Sequence, residues 1–128
     1  KVENVRVVIV PEKNPEGGIQ HYVYLLNLRD DIMEGIIITS KGYGTNVETG
    51  ESVKTSTLRH SLEVLLPDEA AKIEPIMEEV FGLTNEYWVS FWADDVMYDK
   101  KFIFLPETIS EKNYTEIPKL GAKGVMVG

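Results

Sequence analysis

The stretch Glu86–Leu105, EYWVSFWADDVMYDKKFIFL, decides the fold of this chain. Two runs rich in aromatic and β-branched residues flank Asp94 and Asp95. Aspartate tolerates the positive φ angles of a tight turn better than most residues do. The pattern therefore predicts a β-hairpin with a two-residue turn. The cross-strand pairs implied by that turn are Phe91 with Tyr98, Val89 with Lys100, and Tyr87 with Phe102.

Strand signals continue on the N-terminal side of the hairpin, where short apolar runs alternate with Gly-, Pro- and Asn-containing turns. The predicted strands cover residues 5–10, 19–28, 32–39 (with Gly35 as a bulge or a point of close packing), 52–58 and 62–66. Strand–helix alternation, which is typical of parallel sheets, is absent from the sequence. We therefore predict an all-β fold, an immunoglobulin-like two-sheet β-sandwich of about seven strands.

Residues 67–82 fit two interpretations. Their apolar residues fall at helical spacing, but Pro75 would interrupt a continuous helix. We predict an edge strand over Glu69–Ile76, with Ala71 and Ile73 facing inward, and then a short helical turn over 77–81 that Gly82 ends. The alternative is a helix broken at Pro75.

The domain organisation is simple, since 128 residues suit one domain that buries its own core. We assign residues 1–110 to the β-sandwich. Residues 111–128 are read as an extended C-terminal tail that packs on the domain or extends it.

Composition argues against several classes of function. A net charge of −8 would repel a nucleic-acid backbone, and the longest apolar run is far shorter than a membrane-spanning helix. The chain has no cysteine, and its histidines and aspartates lack metal-site spacing. We expect a soluble protein without metal or cofactor. The cytoplasm is the default location, although a start at Lys1 leaves a removed signal peptide open.

The segment Lys54–Ser61 combines hydroxyl groups with Arg59 and His60. Side chains of these types can bind a phosphate or activate a serine. Nothing in the sequence fixes a serine or an aspartate against His60, so a solvated strand is the preferred interpretation. The carboxylates Glu74, Glu78 and Glu79 are likewise expected to be solvated.

Trp88 and Trp92 lie four residues apart on one predicted strand and therefore point to the same face. If both side chains were exposed, they would form an aromatic surface that could bind proteins or sugars. If the tail from Pro106 to Val127 folded over them, they would form a second core. We favour burial, because large uncovered apolar patches are rare on monomers.

Four segments carry a resemblance to a known family: SKGYG (40–44), KTSTLRH (54–60), LTNEYWVSFWADDVMYDKKFIF (83–104) and KGVMV (123–127). They resemble a family of short bacterial proteins of uncharacterised function, some of which are labelled phenylalanyl-tRNA synthetase alpha subunit. The resemblance implies no active site. The chain departs from the family pattern at Thr45–Val53 and at Asp95, where a turn glycine is expected.

That label does not fit this chain. A class II synthetase needs a large catalytic domain with arginines that clamp ATP, whereas the chain has 128 residues and arginine only at Arg6, Arg29 and Arg59.

The preferred functional prediction is a non-catalytic binding or protein-interaction module, with Arg59, His60, Trp88 and Trp92 as candidate binding residues. One alternative is a small hydrolase-type enzyme that uses His60 with a nearby Ser or Asp. Another is a structural subunit that donates its tail to a neighbour or self-associates, since the apolar segment Gly124–Gly128 suits strand addition.

Overall fold

A computed structural model describes residues 2–128. Lys1 lies outside the described residues. It is the first residue of the predicted domain and the residue on which the argument about a signal peptide rests. Three helical turns of three residues each accompany the strands, at Glu78–Val80, Glu111–Asn113 and Pro118–Leu120. The ten strands are β1 Val5–Lys13, β2 Ile19–Asn27, β3 Met33–Thr45, β4 Ser52–Lys54, β5 Leu58–Leu65, β6 Ala70–Ile76, β7 Thr84–Ala93, β8 Val96–Phe104, β9 Thr115–Ile117 and β10 Ala122–Val127.

The strands form two antiparallel sheets of five strands each. The first sheet has the order β6-β2-β1-β10-β9. In the second sheet β8 pairs with β7 and β7 with β3, while β4 and β5 follow one another along the other edge of β3. Buried side chains from both sheets share one core that includes Ile9, Leu25, Ile36, Val89 and Phe102. The prediction of an all-β two-sheet sandwich is confirmed, with ten strands in place of about seven.

The β7–β8 hairpin has the predicted register. Phe91 pairs with Tyr98 across a turn in which Asp94 and Asp95 both have positive φ, at 49° and 62°. Such angles match the right-handed twist of the flanking strands. The predicted pairs of Val89 with Lys100 and of Tyr87 with Phe102 are present as well.

Several strand boundaries differ from the predictions, and β3 in particular continues to Thr45 instead of ending at Thr39. Strand β1 continues through Pro11 to Lys13, because a proline can pair through its carbonyl group where its missing N–H is not needed. The predicted strand 52–58 is interrupted after Lys54, where Thr55 exchanges hydrogen bonds with Gly42, and regular pairing with β3 resumes at Leu58. Strand β5 begins at Leu58, four residues before the predicted 62–66 strand. The bulge predicted at Gly35 is confirmed by a register shift and a φ of 54°.

Residues 67–82 follow the preferred interpretation, so the alternative of a broken helix is wrong. Strand β6 lies at the edge of the first sheet, where Pro75 interrupts no central ladder, and the helical turn Glu78–Val80 precedes Gly82. Ala71 and Ile73 pack against the core as predicted. The register against β2 shifts at this point, since Val23 faces Glu74 while the next residue, Tyr24, faces Lys72. Ile73 is therefore the extra residue of a β-bulge.

The C-terminal segment contributes two strands to the first sheet. Strand β10 pairs with β1, with Val7 opposite Val127, and β9 pairs with β10. Ile117 and the partly buried Leu120 pack on the outer face of that sheet, against Val8 and Leu26. The tail thus extends the first sheet and covers part of its outer face.

No helix among the described residues is long and apolar enough to cross a membrane.

We predict that Gly124→Ala will destabilise the protein by about 2–3 kcal/mol, because overpacking a closely packed core costs energy of this size. A Cβ atom at Gly124 would clash with the carbonyl oxygen of Ile9, on the neighbouring strand. The measurement is the free energy of unfolding in urea. Gly82→Ala is the control, because its Cβ would meet only the flexible carboxylate of Glu107. Equal stability of the two variants would contradict the prediction.

Candidate functional site

Glu74 lies between the two sheets at their open edge. The bulge at Ile73 reverses the alternation of β6, so the Glu74 side chain points inward and only 9% of the residue is exposed. The prediction that Glu74 is solvated is therefore wrong, whereas Glu78 and Glu79 are exposed as predicted. A buried carboxylate requires hydrogen-bond donors, because removing its charge from water is costly.

Three strands of the second sheet supply those donors. The Tyr87 hydroxyl donates to Glu74 Oε2 at 3.0 Å, and the Ser40 hydroxyl donates to Glu74 Oε1 at 3.1 Å. His60 Nε2 lies 2.7 Å from the same Oε1. Glu74 therefore joins β6 of one sheet to β3, β5 and β7 of the other.

Cross-strand pairing explains why these side chains meet. Residues directly opposite each other in antiparallel strands point to the same face. Ser40 pairs with the buried Tyr87, and His60 pairs with the buried Ile38. All three donors therefore point toward the first sheet. His60 lies on an edge strand, which leaves 35% of its side chain exposed.

Burial is the largest influence on Tyr87. It raises the pKa of the phenol well above the ordinary tyrosine range, and the charge of Glu74, to which the hydroxyl donates, raises the pKa further. The hydroxyl is therefore a permanent donor to the carboxylate under physiological conditions.

A cleft of about 210 Å³ opens beside Glu74, and we call it the seam cleft. Glu74 and Tyr87 contribute its polar inner surface. Its apolar wall consists of Leu58, Pro75, Ile76, Met77 and Val80, and its remaining lining residues are Ser40, Lys41, Gly42, Thr55, Ser56 and Asn85. The Lys41 ammonium is engaged elsewhere, since it lies 3.9 Å from the Glu86 carboxylate and over the Tyr43 ring.

The arrangement differs from a nucleophilic triad. In a triad the imidazole stands between the hydroxyl and the carboxylate and takes the hydroxyl proton. Here Ser40 donates directly to Glu74, and His60 bonds the same carboxylate oxygen. The geometry suits the capture of a hydrogen-bond donor more than the activation of Ser40.

The four sequence-predicted binding residues lie on two different faces. Arg59 and Trp88 both pair with Thr39, on the outer face of the second sheet, while His60 points the opposite way into the seam. Trp92 shares the outer face with Trp88. We call this surface, with Arg59, Trp88, Trp92, Met97 and Lys101, the aromatic face.

The expectation that the tail covers the tryptophans is wrong. Trp88 is 44% exposed and Trp92 is 46% exposed, with Trp92 lying against Gly35 and the Lys101 ammonium 4.7 Å from the Trp88 ring. The tail is part of the first sheet instead, because β10 pairs with β1 and β9 pairs with β10.

Sequence reasoning missed Ser40, Glu74 and Tyr87 as members of a site. A signal for Glu74 exists in the spacing of Ile73 and Ile76. Both side chains lie toward the core, yet an odd spacing of three cannot place two residues on one face of a regular strand. An inserted residue is required between them, and it changes the direction of Glu74.

The metal-ligand candidates considered from the sequence do not converge. Among the described residues, no group of three or more His, Asp or Glu side chains is placed to hold an ion. Asp94 and Asp95 form the hairpin turn, and His21 contacts the Tyr114 hydroxyl and packs edge-on against Phe81. Burial lowers the pKa of His21 and so favours its neutral form.

Comparisons of the chain with protein-family models, curated proteins and solved structures find no match. The resemblance to short bacterial proteins stays a prediction, and function has to be argued from the site itself.

We predict that Tyr87→Phe will lower stability at pH 7 by about 1–3 kcal/mol, because it leaves a buried acceptor of Glu74 without its donor. The variant will also change how the stability of the protein depends on pH in alkaline solution. A phenol pKa that folding raises contributes stability below the unfolded value, near pH 10, and this stability is lost as the pH rises above it. The free energy of unfolding should therefore fall less steeply above pH 10 in the variant than in the wild type.

Urea titrations at neutral and alkaline pH measure both effects. Tyr22→Phe is the matched control, since the Tyr22 hydroxyl makes no hydrogen bond to any described residue. If the free energy of unfolding fell equally steeply above pH 10 in the wild type and in Tyr87→Phe, the assigned role of Tyr87 would be wrong.

Proposed function

We propose that this domain is a non-catalytic binding module and that the seam cleft is its ligand site. The observation that carries the proposal is a buried carboxylate, Glu74, which forms the inner end of an open cleft with a largely apolar wall. Ligand sites are typically concave and apolar with a few placed polar groups that orient the ligand.

The hydrogen bonds of Glu74 support a ligand that donates. An ionised carboxylate accepts about four hydrogen bonds. Oε1 has two partners and Oε2 has one, Tyr87, which leaves acceptor capacity on Oε2. A ligand whose polar end is an anion would meet the Glu74 charge in a region of low dielectric, where repulsion is strong.

The hydrolase-type alternative keeps one supporting observation, the 2.7 Å contact between His60 and Glu74. Catalysis would require the imidazole to leave Glu74 and approach Ser40. The binding proposal requires no rearrangement, and it is preferred for that reason.

We predict that pentanamide, whose amide group donates, will shift the backbone amide NMR signals of Leu58, Ile76 and Tyr87, because it places its N–H group on Glu74 and its chain on the apolar wall. Pentanoate, which has the same length but only acceptor atoms, should leave these signals unchanged. The measurement is a ¹H–¹⁵N correlation spectrum recorded over a titration.

Ser56→Trp is the informative variant, since Ser56 is exposed and lines the cleft, so an indole at this position is expected to narrow the cleft while Glu74 is kept. Val47→Trp is its control, because Val47 is almost fully exposed and does not line the cleft. Absence of any shift with pentanamide and with a cationic analogue of the same length, or unchanged binding in Ser56→Trp, would overturn the proposal.

The aromatic face is a second candidate, and we propose a second copy of this chain as its partner. Exposed tryptophans favour it, because Trp and Arg are enriched among residues that dominate protein interfaces. Arg59 and Lys101 lie in the same row as Trp88. They offset the negative charges of Glu34, which pairs with Trp92, and of Asp99 on β8, so the acidic excess that would drive two copies apart does not dominate this surface.

We predict that the double variant Trp88→Ser with Trp92→Ser will weaken self-association by at least about tenfold, as expected when central aromatic contacts are lost. Sedimentation equilibrium over a range of protein concentrations measures the effect. Met126→Ser removes an exposed apolar side chain from the first sheet and is the control. A wild-type chain that stays monomeric at all concentrations would rule out this candidate.

We also propose an immunoglobulin-like topology. If β1, β2 and β3 correspond to strands A, B and C, then β6, β7 and β8 correspond to E, F and G. The neighbours β1-β2-β6 and β3-β7-β8 then match the A-B-E and C-F-G neighbours of that fold.

Cytoplasmic location and bacterial origin remain predictions from the sequence.

A further inference from the structure

Glu74 contacts no lysine or arginine side chain among the residues that the structure describes. Ser40 and Tyr87 donate as neutral hydroxyl groups, and His60 is the single imidazole in contact with the carboxylate. Lys41, the cation that lines the cleft, is bound by Glu86 instead. The site can therefore accept a positive charge from a ligand, because a cationic donor adds charge–charge attraction to its hydrogen bond with the carboxylate and a neutral donor does not.

The free acceptor capacity distinguishes between kinds of cation. A guanidinium group prefers to bind a carboxylate with two parallel hydrogen bonds, one to each oxygen. In this site Oε1 already accepts from Ser40 and contacts His60. An ammonium group is a compact charge with three rotatable donors, so it needs only the position open on Oε2.

The wall and volume of the seam cleft define the rest of the ligand. Leu58 and Met77 are about half exposed, at 50% and 48%, so they offer apolar surface to an incoming chain. At about 30 Å³ for each water-sized group, a volume of about 210 Å³ holds roughly seven such groups. An unbranched chain of four or five carbons that ends in an ammonium group is of this size.

The net negative charge of the domain also favours a cationic ligand. A net charge of −8 raises the local concentration of small cations and of cationic side chains around the domain. The attraction is not specific by itself, but it favours an ammonium over a neutral or anionic ligand of equal length.

We propose that the seam cleft binds a primary alkylammonium group, with the ammonium on Glu74 Oε2 and the aliphatic chain against Leu58, Ile76 and Met77. The proposal rests on the proposed function of the cleft and specifies its ligand. The chemistry is shared by free aliphatic amines and by the lysine side chain of a protein.

The first experiment compares probes of matched length on the wild-type protein by the same NMR titration at neutral pH and low salt. We expect n-pentylammonium to bind about tenfold more tightly than 1-pentanol, because only the ammonium brings a positive charge to the Glu74 carboxylate. It should also bind more tightly than n-butylguanidinium. If 1-pentanol or the guanidinium binds the cleft as tightly, the ammonium assignment is wrong while the cleft remains a ligand site. If no probe binds there, the proposed function fails as well.

The second experiment separates Glu74 from the general negative charge. Glu74→Gln should weaken n-pentylammonium binding by about tenfold or more, because it removes the charge that the ammonium contacts. Glu78→Gln removes one negative charge from an exposed position of the neighbouring helical turn and should change binding by less than about twofold. Equal losses in the two variants would overturn the proposal. The wild-type probe comparison decides the question if Glu74→Gln does not fold.

A third titration distinguishes the two sources of the group. Nα-acetyl-lysine methylamide carries the same ammonium on a side chain flanked by peptide bonds. Binding at least as tight as that of n-pentylammonium would assign the site to a lysine of a protein partner, whereas binding that is about tenfold weaker would assign it to a free amine.

Discussion

The burial of one carboxylate between two sheets is the constraint on which the rest of this structure depends. An ionised carboxyl group removed from water loses several kcal/mol of hydration unless donors replace the water. Glu74 obtains those donors from Ser40, His60 and Tyr87, which lie on three strands of the opposite sheet. The same bonds therefore satisfy the charge, join the edges of the two layers and shape the inner end of the cleft.

The features that the sequence predicted well are those determined by neighbouring residues. The hairpin register follows from Asp94 and Asp95 alone, because a two-residue turn leaves one way to pair the flanking strands. The bulge at Gly35 and the helical turn before Gly82 are also local, since glycine and the residues beside it specify the backbone there. The all-β sandwich follows from the sum of such signals.

The features that the sequence did not predict depend on residues far apart in the chain. Strict alternation from Ala71 and Ile73 places Glu74 outside, and only the pairing of β6 with β2 accommodates the extra residue that turns it inward. Trp88 and Trp92 were expected to lie under the tail, but the tail has a better partner in the unpaired edge of β1. The candidate site was missed for the same reason: its donors come from positions 40, 60 and 87, and only the completed sandwich brings them to position 74.

The position of β10 also has a consequence for biosynthesis. Strand β1 is made first and β10 last, yet Val7, Val8 and Ile9 pair with Val127, Met126 and Val125. One side of β1 thus has no hydrogen-bonding neighbour until β10 has been synthesised and has left the ribosome. During that interval Val8 and Val10 also lack Ile117, which packs with them in the finished protein. Until then the nascent chain exposes an unpaired apolar strand edge, which is the kind of surface that chaperones shield.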